Sequence, residues 1–564
     1  ARRVQAFLRN WQAAQSRLDN SSAFRAAVSR LTDQLTNFLG LTRLSSRTYN
    51  HLHSFVVEGP ALRLRIPTRF PIIYMRKVHF TAEDVRDLRA LLDILHISGY
   101  FALVIVFSDQ PVATGFAPAA PSATPASELK RLVKDAAHDL IVLDFQDLFS
   151  IVTAKRREQQ LVRLMLKQVD LTIVSPYVTH GPVPENMFFG RDQEIKTIMR
   201  TIQDQSFAIV GGRKIGKTSL LLHVNRLLLD APQHIPFYLD CQAIQDYEAF
   251  LSAISSRGLV AAGFTPASTD ATDSTPPSAD TANLGPAVEQ LLAVCREQSK
   301  KEGTIVVLLD EVDSLLEHDV KNGEKLFRVF RTLSQEGRCR FVFCGERVLN
   351  ARLQQPDSPL FNFCQVLHLS FLTPQSASQI ILEPMQEMGI SLEEPEALAA
   401  STIELSSCHP NIVQYICQQL LVQINAYRTE FGENRAITDG DLEAVSESRY
   451  FADYFLATIW GSASPLEKII TLLMIDHPLV TTSELLTILQ EHGLTVSQEA
   501  VSEALAHLVL CSVLDKERQH YAFAAHSFPD IVESSQDVPA LLESLRLLAH
   551  QGSQPSAVSR TTDR

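Results

Sequence analysis

The chain has 564 residues, 45% of them hydrophobic and 20% charged, with a net charge of −13. That composition describes a globular protein of several domains, and the acidic balance argues against a general binder of nucleic acid or of an anionic membrane. No apolar run approaches the ~20 residues that span a bilayer, and the eight cysteines, without a C-x-x-C pair, read as buried thiols of a reducing, cytoplasmic compartment.

The chain opens Ala1-Arg2-Arg3-Val4, without an initiator Met or a signal-like apolar stretch, and is read as a fragment or a processed chain. Apolar residues recur at helical spacing through Phe7, Leu8 and Trp11, then Phe24, Val28, Leu31, Leu35 and Phe38. Residues 1–60 are therefore expected to form two or three helices. From 61 to 172 strand-like and helical stretches alternate. Phe70–Met75, Tyr100–Phe107 and Leu140–Asp144 read as strands; Ala82–Leu95, Ser127–Ala137 and a long Asp147–Leu166 read as helices. Alternation of this kind predicts a small α/β domain on a parallel sheet. The Pro/Ala-rich stretch 111–125 is expected to be a mobile loop.

Residues 173–186 carry Pro176, Gly181, Pro182 and Pro184 and read as a linker. Beyond it lies Phe188-Phe189-Gly190-Arg191-Asp192-Gln193-Glu194, where Asp192 could cap a helix. The most informative stretch follows. Ser206–Val210 is a short apolar strand, and Gly211-Gly212-Arg213-Lys214-Ile215-Gly216-Lys217-Thr218 matches G-x-x-x-x-G-K-[ST]. Ser219 and a leucine-rich helix come next. Strand, glycine turn and helix is the order that cradles phosphates: the glycines turn the backbone tightly, its N–H groups point inward, and the helix adds its positive end. Lys217 is expected to reach the outer phosphates of ATP or ADP, and the Thr218 hydroxyl to ligate Mg²⁺.

Thr304–Leu309 reads as a second buried strand with Asp310 and Glu311 at its carboxyl end, where open parallel sheets bind ligands. Asp310 is expected to hold Mg²⁺ and Glu311 to polarise an attacking water; the plainer alternative is an acidic cap for the helix that begins near Asp313. Between the two motifs, residues 265–283 form a low-complexity insert expected to be disordered. Arg340–Gly345 is a further strand, ending in Cys344-Gly345, and the segment 358–374 closes the sheet. Arg331 and Arg347 are candidates to touch a γ-phosphate, though arginines so placed more often make surface pairs.

Helices over 375–450 would form a lid, with Cys408-His409-Pro410 opening the last long one; His409 could simply cap that helix. Residues 451–535 read as a winged helix: helices 465–474, 482–491 and 497–508, then a hairpin over 513–523. The third helix has no Lys or Arg and carries Glu499 and Glu503, so DNA reading is not expected. Residues 536–564 read as a C-terminal helix and a disordered tail.

The phosphate loop, the Asp310-Glu311 strand and the F-x-G-R-x-x-E segment together resemble the STAND-class, AAA+-related P-loop ATPases, over about residues 186–535. The resemblance implies a fold of a P-loop NTPase parallel sheet with a helical lid and a C-terminal winged helix, here following a small N-terminal α/β domain. It implies that Phe189, Gly190 and Arg191 border the adenine and that Pro410 couples nucleotide to lid, although Ser407-Cys408 stand where the family has glycine. It also implies slow Mg-dependent ATP hydrolysis, self-association in the ATP state, an unknown protein trigger and a role in signalling or defence. Leu140–Val152 is faintly similar to restriction-endonuclease-like folds but lacks an Asp…Glu-x-Lys set, so a sensing or effector module is expected there. The alternatives are an initiator-like DNA-remodelling ATPase and a scaffold that binds nucleotide without hydrolysing it.

Overall fold

A computed structural model describes residues 2–15, 21–59, 64–77, 79–96, 101–107, 125–134, 140–261, 284–299, 302–431 and 435–552. The loop expected over 111–125, the insert over 265–283 and the tail beyond 552 lie outside the described residues, apart from Pro125. The chain divides into two compact units: residues 1–177 with 381–395 and 417–438, and residues 178–380 with 396–416 and 439–564.

The first unit is built on a five-stranded sheet in the order β1 (Thr42–Tyr49), β2 (Leu52–Glu58), β3 (Arg69–Arg76), β4 (Ala102–Phe107), β5 (Leu140–Leu143). β1–β3 run antiparallel and β3–β5 parallel. The sheet is thus mixed rather than parallel, and it begins inside the stretch expected to be wholly helical. Helices Arg2–Gln15 and Ser21–Leu39 do form, and Trp11 stacks on Phe107 of β4 at 4.2 Å. The helix expected over 147–166 is two, Phe145–Thr153 and Arg157–Leu166, because Ala154 is extended between them. Residues 381–395 and 417–438, expected in the lid, also belong to this unit. The side chain of Arg428 donates to the Val169 carbonyl at 2.6 Å, and Asn425 accepts from the Leu171 N–H at 3.1 Å.

The second unit carries a parallel sheet of β6 (Ser206–Gly211), β7 (His234–Asp240), β8 (Thr304–Asp310), β9 (Cys339–Gly345) and β10 (Cys364–Leu369), in the order β10-β6-β9-β8-β7. β6 is buried throughout and β8 at every position after Thr304, as expected of strands covered on both faces. One core packs Phe237, Leu309, Phe327, Phe330 and Phe343; the other packs Ile209, Leu220, Val224, Leu308 and Val342. Val210 pairs with Gly345 and Leu309 with Phe343, so the carboxyl ends of β6, β9 and β8 come together. That shared end is where an open α/β sheet takes its ligand.

Further along, helices Pro465–Leu473, Thr482–Glu491 and Gln498–Leu510 surround a three-stranded sheet, in which β13 (His520–Phe523) lies between β11 (Val480–Thr481) and β12 (Leu514–Glu517). Ser464 and Thr481 open the first two helices with capping boxes closed by Glu467 and Glu484.

Candidate nucleotide-binding site

The loop after β6 has little freedom in its residue types. A Cβ on Gly211 would lie 2.5 Å from the Leu369 carbonyl oxygen of β10, and one on Gly212 would lie 2.9 Å from the backbone of Cys511. Gly216 takes a φ of +98°, which favours glycine, and Lys214 a φ of +58°. Helix Lys217–Asp230 starts there and aims its free N–H groups at the space in front of the loop. Lys217 is buried, and its Nζ donates to the carbonyl oxygens of Gly211 at 2.9 Å and Gly212 at 2.8 Å.

In front of the loop opens a cavity of about 600 Å³, a size suited to a small ligand. Arg213, Lys214, Ile215, Gly216, Lys217, Thr218 and Ser219 line one side. Val183, Met187, Phe188, Phe189, Leu372, Ile380 and Pro410 make an apolar wall, and Glu311 and Glu346 an acidic edge. Arg191 also lines it and donates to the carbonyls of Ser370 at 2.6 Å and Ile215 at 3.2 Å. Gly190, Gly211, Gly212 and Asp310 adjoin these residues without lining the cavity themselves.

Two expectations about this wall change. The stretch read as a linker is built in: Val178 N–H donates to Gln414 Oε1 at 2.8 Å, Val183 N–H to Ser219 Oγ at 3.2 Å, and residues 178–183 line the cavity. Its prolines favour extended backbone, which suits a wall as well as a spacer. Asp192 is the first residue of its helix rather than the cap; Arg191 holds the cap position at a φ of +65°.

Asp310 is buried at the end of β8. Tyr238 Oη donates to its Oδ2 at 3.2 Å and the Glu311 N–H to its Oδ1 at 3.0 Å. Glu311 itself takes a φ of +50°, a strained conformation of the kind that gathers at functional sites. Burial raises the Glu311 pKa, Lys217 opposes this, and Asp310, Asp313 and Glu346 add to it. Asp313 works on the backbone instead, accepting from the N–H groups of Glu346 and Val348, both at 2.7 Å, and of Leu349 at 3.2 Å. It thereby caps helix Arg347–Gln354. A Cβ at Gly345 would strike the Asp313 carboxylate, which explains the glycine that ends β9. The Thr218 hydroxyl and the Asp310 carboxylate are hard oxygen donors, a set that fits Mg²⁺.

Helix Arg449–Ile459 reaches the loop at Lys214, whose Nζ lies 4.6 Å from the centre of the Tyr454 ring. Tyr454 Oη donates to Asn411 Oδ1 at 2.5 Å, and Asn411 Nδ2 to the Thr179 carbonyl at 2.9 Å. His409 does cap its helix, accepting from the Asn411 N–H at 3.3 Å. Ser407 and Cys408 take φ of 49° and 60°, the conformations that glycine would adopt without strain.

Neither candidate arginine reaches into the cavity. Arg331 donates to the carbonyls of Pro359 and Phe361, each at 2.9 Å. Arg347 Nη2 grips both oxygens of Glu467, at 2.8 and 2.9 Å. Three residues that sequence reasoning did not single out complete the surroundings. Glu346 Oε1 lies 3.5 Å from His507 Nε2 and 3.7 Å from Cys511 Sγ. Burial opposes it, yet hydrogen bonding to His507 and Ser462 lowers the Glu346 pKa. The His507 pKa is raised by bonding to Cys511, Glu346 and Glu467 against its own burial. Glu346 stands just past the carboxyl end of β9, a position that strand prediction alone could have marked.

Residues 188–397 match a family described as an ATPase domain predominantly from Archaea. No curated protein matches the chain in sequence. Among solved structures, a Walker-type ATPase of Pyrococcus abyssi is 14% identical, with a TM-score of 0.46 over 63% of this chain and 98% of that one. The Aeropyrum pernix ORC1 protein in complex with DNA is 15% identical, with a TM-score of 0.33 over 65% and 96%. A Thermotoga maritima RuvB mutant is 14% identical, with a TM-score of 0.32 over 60% and 93%. The family match, the phosphate loop and the carboxylate at the end of β8 together make residues 188–397 a P-loop ATPase domain.

Proposed function

We propose that the chain is an ATP-driven switch of the STAND type, serving signalling or defence, whose C-terminal winged-helix domain over 451–535 locks the nucleotide site. The observation that carries this reading is the close approach of Gly212, inside the phosphate loop, to Cys511 at the end of helix Gln498–Leu510, where a Cβ on Gly212 would lie 2.9 Å from the Cys511 backbone. A domain seated on the loop cannot stay indifferent to what the loop holds.

In this reading the loop N–H groups and Lys217 bind the outer phosphates of ATP, and Phe189, Arg191 and Pro410 border the base. Thr218 and Asp310 hold Mg²⁺, which would neutralise charge on the phosphate oxygens. Glu311 orients a water and accepts its proton; burial, which raises its pKa, makes it a better base. ATP and ADP must bind the locked and open forms with different affinity, or nothing switches. The first unit acts as sensor or effector, a protein serves as trigger, and the ATP form self-associates.

The test combines two measurements. Calorimetry should find Mg-ATP binding in the wild type and its heavy loss in Lys217→Ala. Native mass should rise with a non-hydrolysable ATP analogue and not with ADP. Equal ATP affinity in the two chains sinks the site; equal mass in both nucleotides sinks the switch.

A further inference from the structure

Glu346, His507 and Cys511 form a cluster that nucleotide chemistry does not use. Their ligand atoms make a compact triangle: Glu346 Oε1 to His507 Nε2 is 3.5 Å, His507 Nε2 to Cys511 Sγ is 3.4 Å, and Cys511 Sγ to Glu346 Oε1 is 3.7 Å. A tetrahedral Zn²⁺ with bonds of about 2.3 Å to sulfur and about 2.0–2.2 Å to nitrogen and oxygen sets its ligands about 3.3–3.7 Å apart. The triangle matches those edges on all three sides.

The surroundings match as well. A metal-bound histidine donates its other ring N–H to a carboxylate, which fixes the ring. His507 Nδ1 lies 3.1 Å from Glu467 Oε2, and Glu467 is held in place by Arg347 and by the Ser464 N–H at 2.7 Å. Arg347 Nη2 also lies 2.9 Å from Nδ1, but it can only donate. With Nε2 on a metal, the Nδ1 proton goes to Glu467, and Arg347 keeps both Glu467 oxygens. His507 and Cys511, four residues apart at the end of one helix, project on the same side. Ser462 Oγ, 3.7 Å from Cys511 Sγ, or a water is available as the fourth ligand.

We propose that Glu346 Oε1, His507 Nε2 and Cys511 Sγ bind a divalent borderline metal of the Zn²⁺ class. Sulfur and imidazole donors favour such an ion over Mg²⁺ or Ca²⁺. Binding releases to solvent the protons carried by the imidazole Nε2 and the thiol. The ion would join the turn after β9 to the end of helix Gln498–Leu510, beside the phosphate loop. The proposal does not depend on nucleotide binding.

The test uses the full chain without an affinity tag and without nucleotide, titrated with Zn²⁺ against a chromogenic chelator and separately with Co²⁺. One equivalent should bind, and the Co²⁺ form should give a thiolate-to-metal charge-transfer band. Cys511→Ser should abolish the band, Glu346→Gln should weaken Zn²⁺ binding, and Glu467→Gln should weaken it by about 10–100-fold through the ring alone. Cys408→Ser, which changes a buried thiol elsewhere, should change neither. No competitive Zn²⁺ binding, or a charge-transfer band that persists in Cys511→Ser, overturns the proposal. If Cys511→Ser does not fold, Glu346→Gln decides: unchanged Zn²⁺ affinity in that variant overturns it equally.

Discussion

In the proposed switch, Glu311 is the residue on which hydrolysis would turn. It lines the cavity with Lys217, and its backbone is held at a φ of +50° by its place just past β8. An amide in its place keeps the shape but is a far poorer proton acceptor. Glu311→Gln should therefore bind ATP as the wild type does and lose turnover by about 10²–10⁴-fold, the usual worth of general-base catalysis. A single-turnover assay beside an equilibrium titration separates the two, and a variant that turns over at the wild-type rate removes Glu311 from the role. Lys217 and Thr218 were legible because a glycine-rich loop leaves few alternatives for its residue types. Glu346 was legible only as a position just past β9; its partners lie on a helix more than 150 residues further along the chain. Asp313 was legible only as an acidic residue near a helix start; its capping of the helix after β9 needed β9 beside β8.

At the scale of elements, the turn before helix Pro410–Phe431 carries two predictions. Ser407 sits at a φ of 49°, where an L side chain is strained by about 1–2 kcal/mol. Ser407→Gly relieves that strain but adds chain entropy to the unfolded state, so a net gain of about 0.5–1 kcal/mol is expected. Denaturant unfolding would measure it, and a loss of stability would mean that the Ser407–Ser527 contact at 3.4 Å outweighs the strain. His409 beside it is wholly buried, and burial, followed by the charge of Lys214, lowers its pKa from 6.5 to about 3. Between those values the unfolded chain binds a proton that the folded chain refuses, so stability falls as pH falls, by up to about 1.4 kcal/mol per pH unit. Acidification from about pH 7 to about pH 5 should cost the wild type about 2 kcal/mol that His409→Asn does not lose. Parallel slopes in the two chains would show that another group governs the acid limb. β6, β8 and β9 of the ATPase sheet were readable because each carries a continuous apolar run. β1 was not: no position in it is fully buried, and Arg43, Ser45, Ser46 and Arg47 give no alternation. The break at Ala154 was equally invisible, because neither glycine nor proline marks it.

At the scale of the molecule, the question is whether the C-terminal domain governs the nucleotide or reads DNA. Helix Gln498–Leu510 exposes Glu499 and Glu503 and has no Lys or Arg, while its far end carries His507 and Cys511 to Glu346 and the phosphate loop. Phosphate contacts supply most of non-specific DNA affinity, and such a helix has none to offer. The hairpin does expose Lys516 and Arg518, but Asp515 and Glu517 are exposed among them and cancel much of that field. A lock should be weakened by loosening its seat. Arg347 is half exposed and grips Glu467, whose side chain is only 2% exposed. Arg347→Glu would leave that buried carboxylate facing another negative charge, and stranding one partner of a buried pair costs about 2–5 kcal/mol. A third of that, lost only from the locked form, would speed ADP release by about 3–17-fold. The measurement is stopped-flow release of a fluorescent ADP from the wild type and from Arg347→Glu, with labelled duplex titrated against both at physiological salt. Faster release together with weak or absent duplex binding fits the lock. Unchanged release with sub-micromolar duplex binding would instead make the domain a DNA reader and the chain a remodelling ATPase.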